Sequence, residues 1–298
     1  MDLQQLQEQV RQEILRLRDK LGKSQAQIAT QVGISGANIT QIVRGNWESI
    51  SEALWRKVAI GLGLEVQASE WHTAEIGNYK KVFGVCGYAQ AHSLAKLIAF
   101  EAGFGKTYAL QAYTRQNRNV FYLQCERHYT RKVFLQKFGQ VLGLQLSGGI
   151  ADMIDAIIDR LKKLENPLVI WDEYDKVLEK QGVFDLFKTF YDATLGHCGF
   201  VLCGTNALEI ELRKRAKAGK IGYQELFSRC GREFVSLQTL SRQDITLVCE
   251  ANGIDSPAEI EEIRVELGDG DLRQLKDIVQ RRKVEYLLKQ VSKKKLVS

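Results

Sequence analysis

Ala102-Gly103-Phe104-Gly105-Lys106-Thr107 follows an apolar run and leads into a helical pattern over residues 107–114. Those residue types in that order suit one kind of ligand. Small residues let backbone N–H groups close around phosphate oxygens, a lysine reaches the terminal phosphates, and a hydroxyl serves Mg2+. Ala102, Gly103, Phe104, Gly105, Lys106, Thr107 and Tyr108 are therefore the candidates for holding a nucleotide. The position of the first glycine in the pattern G-x-x-x-x-G-K-[ST] is taken by Phe100, where the turn begins. Further on, Leu168-Val169-Ile170-Trp171 ends in Asp172-Glu173. A strand that delivers two acids can place Asp172, with Thr107, at the Mg2+ shell and Glu173 beside an attacking water. The same pair could simply cap the next helix. With the glycine loop upstream, the favoured chemistry is ATP hydrolysis with ATP and Mg2+ as cofactors, driven by positioning and charge neutralisation.

The elements that must position these groups follow from the hydrophobic pattern. Apolar runs at 94–100, 120–123, 168–171, 200–203 and 234–237 alternate with helical stretches, which indicates βαβ units and a parallel sheet with helices on both faces. From Ser241 onward the chain reads as helical and polar, with Pro257 marking a turn. Ahead of the sheet, residues 3–64 read as a bundle of short helices. Val10, Ile14, Leu15, Leu17 and Leu21 have helical spacing, Gly22 and Ser24 end one helix and cap the next, Gly33 breaks that one, and Ser35 caps a third ending near Arg44. A fourth spans about 51–60. The expected fold is multidomain: an all-α helix-turn-helix domain (1–66), a linker and lead-in (67–92), an α/β P-loop core with a parallel sheet (93–240), and a small helical lid with a basic C-terminal region (241–298).

The helix-turn-helix reading rests on spacing. Ala29 is small enough for two helices to cross, Gly33 permits the turn, and Ile28, Val32, Ile34, Ile39 and Ile42 build the shared core. On a recognition helix over 35–44, Gly36, Ala37, Asn38 and Gln41 face the groove and Arg44 lies nearer the backbone. Gly36 and Ala37 offer base edges no hydrogen-bonding group, so strong sequence discrimination is not expected. A helical bundle that binds protein is the other reading.

Charge adds to the case for a polyanion partner. The net charge is +6, and residues 272–298 carry nine Lys or Arg against two acids. Arg127, Thr130, Arg131 and Lys132 form one further basic cluster, and Arg213, Lys214, Arg215, Lys217 and Lys220 another. Either could track a phosphate backbone with salt-dependent affinity, or be a solvated helix face. A composition 45% hydrophobic and 26% charged excludes wholesale disorder. The six cysteines form no CxxC pair and the four histidines no ligand spacing, so neither set is assigned a metal. No apolar run reaches the roughly 18 residues of a membrane span and the first residues are polar, so a cytoplasmic protein without a membrane partner is expected.

Later segments resemble the AAA+ ATPases. Gly204-Thr205-Asn206, after an apolar strand, looks like the sensor-1 position that holds the attacking water. Glu225-Leu226-Phe227-Ser228-Arg229-Cys230-Gly231-Arg232 is similar to the box with the arginine finger, Arg229 being the first candidate and Arg232 the second. Such a finger acts on a neighbour's ATP and implies a homo-oligomer. Gly270-Asp271-Leu272-Arg273 resembles sensor 2, with Arg273 reaching the phosphates. Taken singly, each arginine could equally be a surface ion pair. The domain order, the run Gly199 to Thr205 and the segment Gly222 to Arg229 together resemble the target-selection ATPases of phage Mu and Mu-like elements, the MuB family, related to TnsC and IstB. That resemblance implies ATP-dependent assembly on double-stranded DNA as a helical filament or ring, without marked sequence preference. It also implies delivery of that DNA to a DDE transposase. A helicase-loader-like AAA+ protein and an ATP-switched helix-turn-helix transcription regulator are the alternatives.

Overall fold

The computed structural model describes residues 3–47, 50–62, 64 and 71–296. The chain divides into two compact units, Met1–Thr73 with Lys276–Ser298, and Ala74–Leu275. The first unit contains α1 (Leu3–Asp19), α2 (Gln25–Val32), α3 (Gly36–Arg44) and α4 (Glu52–Gly61). Ser24 accepts from the N–H of Gln27, whose side chain caps back on Ser24, and Ser35 accepts from Asn38 N–H, so both middle helices start on side-chain caps. Gly33 closes α2 with φ 66, a left-handed conformation that favours glycine. Val10, Ile14, Ile28, Ala29, Ile39, Ile42 and Trp55 share one core. On α3 this leaves Gly36, Ala37 and Arg44 exposed and Asn38 and Gln41 half-buried, opposite Ile39 and Ile42.

The second unit runs α5 (Gly77–His92), β1 (Ala95–Ala99), α6 (Lys106–Gln116), β2 (Val120–Gln124), α7 (Arg131–Val141), α8 (Ile150–Lys162) and β3 (Leu168–Asp172). After a short 3-10 turn at Tyr174–Lys176 it continues with α9 (Gln181–Ala193), β4 (Gly199–Gly204), α10 (Asn206–Lys217), α11 (Tyr223–Arg229) and β5 (Phe234–Ser236). Then come α12 (Arg242–Ala251), α13 (Pro257–Leu267) and the start of α14 (Leu272–Leu296), whose residues from Lys276 group with the first unit. Pro257 stands in the first turn of α13, where its missing N–H costs nothing.

One element departs from the sequence reading. Within the expected linker at 67–92, residues 77–92 form a four-turn helix. Gly77, Gly84 and Gly87 obscured it, since each interior glycine costs a helix about 1 kcal/mol. Val82, Cys86 and Ala89 nevertheless recur on one face and are buried against the sheet, which offsets that cost. The approach is tight: a Cβ on Gly199 would lie 2.4 Å from the Ala89 carbonyl oxygen. Residues 65–70, and with them the expected boundary at 66/67, lie outside the described residues.

The five strands are parallel in the order β2-β3-β4-β1-β5. Every residue of β3 and β4 is buried, as a parallel sheet covered on both faces requires. Successive side chains alternate between two cores: Val169 and Trp171 join Phe134, Phe138, Phe187 and Phe200, while Leu168 and Ile170 join Val82, Cys86, Leu110 and Tyr113. Because β3, β4 and β1 are neighbours, the loops leaving their C-terminal ends lie side by side, the usual place for a ligand on such a sheet. The six cysteines are buried free thiols.

Asn78 fixes the start of α5. Its amide donates to Gln238 O at 2.7 Å and accepts from Gln238 N–H at 3.0 Å. Asn78→Ala removes both bonds and is expected to cost about 1–3 kcal/mol, measured by urea unfolding.

Candidate active site

The loop between β1 and α6 is shaped by two left-handed glycines, Gly103 at φ 90 and Gly105 at φ 82. No side chain caps α6, so its first backbone N–H groups and dipole face the loop. The bulk of Phe100 is taken up by packing beside the turn. Its ring packs edge-on against Phe104 at 5.0 Å, and Phe104 is buried, so Phe104 contributes backbone to the loop and side chain to its support. Ala102 and Tyr108 are exposed. Lys106 is 8% exposed, and its ammonium donates to the carbonyls of Phe100 and Glu101, both at 2.6 Å. Burial lowers its pKa; the charges of Asp172 and Asp175 oppose that shift and Arg273 adds to it. A buried lysine repelled by an arginine is an environment that an anion would relieve.

Asp172 is the centre of the second half of the site. It is 1% exposed, yet three donors reach it. Thr107 Oγ1 and Tyr122 OH donate to Oδ2 at 2.7 and 2.9 Å, and Glu173 N–H donates to Oδ1 at 2.9 Å. Glu173 itself has φ 53, a left-handed backbone rare for a residue with a side chain and of the kind that clusters at functional sites. Its carboxylate pairs with Lys176, which also holds Glu126 at 3.0 Å. Burial would raise the Glu173 pKa, but hydrogen bonds from Lys176 and Gln124 and the charges of Lys176 and Arg273 outweigh it, so the group stays below its ordinary value. At the end of β4, Thr205 donates its N–H and hydroxyl to the two oxygens of Asp175, each at 3.2 Å. Gly204 leaves room for that acid, since a Cβ there would stand 2.5 Å from Asp175 Oδ1. Asn206 is exposed in the first turn of α10.

The lid closes on the glycine loop. Leu272 N–H donates to Gly103 O at 3.1 Å, and a Cβ on Gly103 would fall 1.7 Å from Asp271 Oδ2. Asp271 Oδ1 meanwhile caps α14 by accepting from Arg273 N–H at 2.8 Å and Gln274 N–H at 3.0 Å. This brings the charge of Arg273 to bear on both Lys106 and Glu173. The other two arginines make different contacts. Arg229 forms a two-pronged ion pair with Asp192 at 2.7 and 2.8 Å, and Arg232 is exposed with a left-handed φ of 58.

Three residues around these groups do not stand out in the sequence: Tyr122, Asp175 and Lys176. Tyr122 and Gln124 share one face of β2, and Gln124 lies in register with Asp172. Their alternation with Phe121 and Leu123 was the available signal. The phosphate loop, the hydroxyl–carboxylate pair at Thr107 and Asp172, and the two cations fit the magnesium salt of a nucleoside triphosphate. When bound, Mg2+ would neutralise phosphate charge; Lys106 and Arg273 would bind the phosphates, Thr107 and Asp172 would hold the ion's shell, and Glu173 would orient water.

Residues 93–212 match the family model of the AAA domain. With the parallel sheet and this loop, that segment is an AAA domain and the chain is an ATP hydrolase. Over 242 residues it is 23% identical to the Mu-like prophage FluMu DNA transposition protein B of Haemophilus influenzae, covering 79% of this chain and 82% of that protein. Among solved structures it is similar to the Aeropyrum pernix ORC1 protein in complex with DNA (TM-score 0.48, 13% identity, 74% of this chain and 66% of that one). It is also similar to domain III of the Thermotoga maritima replication initiation protein DnaA (TM-score 0.44, 17% identity, 73% and 92%). No helix among the described residues is long and apolar enough to cross a membrane.

Two substitutions test the site. Glu173→Gln is expected to leave ATP affinity unchanged and lower phosphate release by about 10²–10⁴, the usual share of a general base; unchanged turnover would remove Glu173 from that role. Gly103→Ala should abolish nucleotide binding in equilibrium titrations, because the new methyl collides with Asp271.

Proposed function

We propose that the chain is an ATP-dependent, largely sequence-non-specific double-stranded-DNA-binding ATPase that oligomerises on target DNA and delivers it to a DDE transposase. The observation that carries the DNA part is a contrast between the two basic clusters. In α10, Arg213 pairs with Glu209, Lys214 with Glu211, and Arg215 with Glu211 and Glu179. Arg213 also lies over the rings of Phe227 and Phe234, and Arg215 over Tyr223. Lys214, Arg215 and Lys217 occupy the last turn, where the helix dipole favours cations. Arg213, Lys214 and Arg215 are thus engaged within the fold.

The other cluster is not. Arg127, Thr130, Arg131 and Lys132 are exposed, and Arg131 and Lys132 stand in the first turn of α7, where the dipole opposes positive charge. Thr130 caps that helix by accepting from Val133 N–H. The Arg131 side chain passes 3.6 Å from the Cβ position of Gly182, at the start of α9, so a second helix N-terminus adds to the same positive field. Cations and helix N-termini gathered in this way suit a phosphate backbone. The relative's name, a DNA transposition protein, supports the target-delivery reading. The outer face of α3, with Gly36, Ala37 and Arg44 exposed and Asn38 and Gln41 half-buried, supports an accessory helix-turn-helix contact that does not select a tight operator. Arg229, and Arg232 after it, are the arginines proposed to complete a neighbour's site; the Asp192 pair would then have to open on assembly.

Electron microscopy with random-sequence duplex DNA and ATP tests the reading. Long, ATP-dependent coverage is expected; short complexes at one discrete sequence would favour the transcription-regulator alternative and overturn this one. For the clusters, replacing Arg131 and Lys132 together by Ala should weaken binding of any duplex and lower the slope of affinity against salt by about two. Lys214→Ala should leave both close to wild type in fluorescence anisotropy.

A further inference from the structure

Tyr122 is a half-buried side chain in the middle of β2 that the nucleotide chemistry described so far does not use. Its hydroxyl lies 2.9 Å from Asp172 Oδ2, the same oxygen that accepts from Thr107 at 2.7 Å. Burial, reinforced by the charge of Asp172, raises the phenol's pKa and keeps it a donor; the side chain of Gln111, one turn along α6 from Thr107, also bonds it. The ring is thus braced by the helix that carries the phosphate loop while its proton fixes the acid that ends β3.

We propose that Tyr122 is a positioning residue for the Mg2+ shell, holding the Asp172 carboxylate in the rotation that lets Thr107 and Asp172 serve one ion. A carboxylate at the end of a strand can rotate about its last bond. Two donors on one oxygen and a backbone N–H on the other remove that freedom before any ion arrives. Without the phenol, Oδ2 loses one of its two hydroxyl donors and keeps the Thr107 hydroxyl, the very group that must share its oxygen with the cation. Partners that orient a metal's ligands in this way commonly contribute 10–100-fold to metal affinity. The inference rests on the ATP-hydrolase reading of the same site.

The test is Tyr122→Phe, which deletes one oxygen and keeps the ring, in equilibrium binding of a fluorescent ATP analogue titrated with Mg2+ and repeated in EDTA. The half-saturating Mg2+ concentration is expected to rise by about tenfold or more, with affinity in EDTA unchanged. An unshifted Mg2+ curve, or an equal loss in EDTA, would overturn the proposal, the second because the phenol would then be shaping the loop in general. In an Asp172→Asn background, adding Tyr122→Phe should change the Mg2+ curve no further; an additive shift would also overturn it. Wild-type protein that binds the analogue equally with and without Mg2+ would reject the ion site itself, a failure distinct from that of Tyr122 alone.

Discussion

A carboxyl group buried to 1% exposure is costly unless hydrogen-bond donors surround it. Asp172 meets that requirement with three donors from three segments: Thr107 at the start of α6, Tyr122 in β2, and the backbone of Glu173. Satisfying the acid therefore fixes the phosphate loop against the sheet and sets the chain direction at Glu173. The left-handed turn there follows, since the Glu173 N–H must point back at Asp172 while its side chain meets Lys176.

From this centre the remaining parts take their places. β4 separates β1 from β3, and its last residue has to be small because Asp175 crosses over it to reach Thr205. The lid rests on Gly103 through Leu272 and Asp271, bringing a second cation to the phosphate side. The Lys176 that restrains Glu173 also holds Glu126, the residue before the basic cluster at 127–132.

Much of the second unit was legible in sequence because its strands are buried on both faces and read as unbroken apolar runs. The phosphate loop and the two acids were legible because their chemistry demands fixed residue types in fixed order. Helix α5 was hidden by three glycines whose cost is met only by packing against β4, a tertiary effect that no local pattern carries. Tyr122 read as one more apolar strand residue, because its partner is distant in sequence. The two basic clusters looked alike for a related reason: what separates them is which acids and helix ends lie nearby, and Glu179, which neutralises Arg215, comes from the far side of β4.

In the proposed function, nucleotide held at this loop governs attachment to DNA. The most direct measurement is the affinity for a random-sequence duplex at fixed salt with ATP, with ADP and without nucleotide. Binding at least about tenfold tighter with ATP is expected, the ordinary range of coupling between two sites. Equal affinity in all three conditions would contradict it.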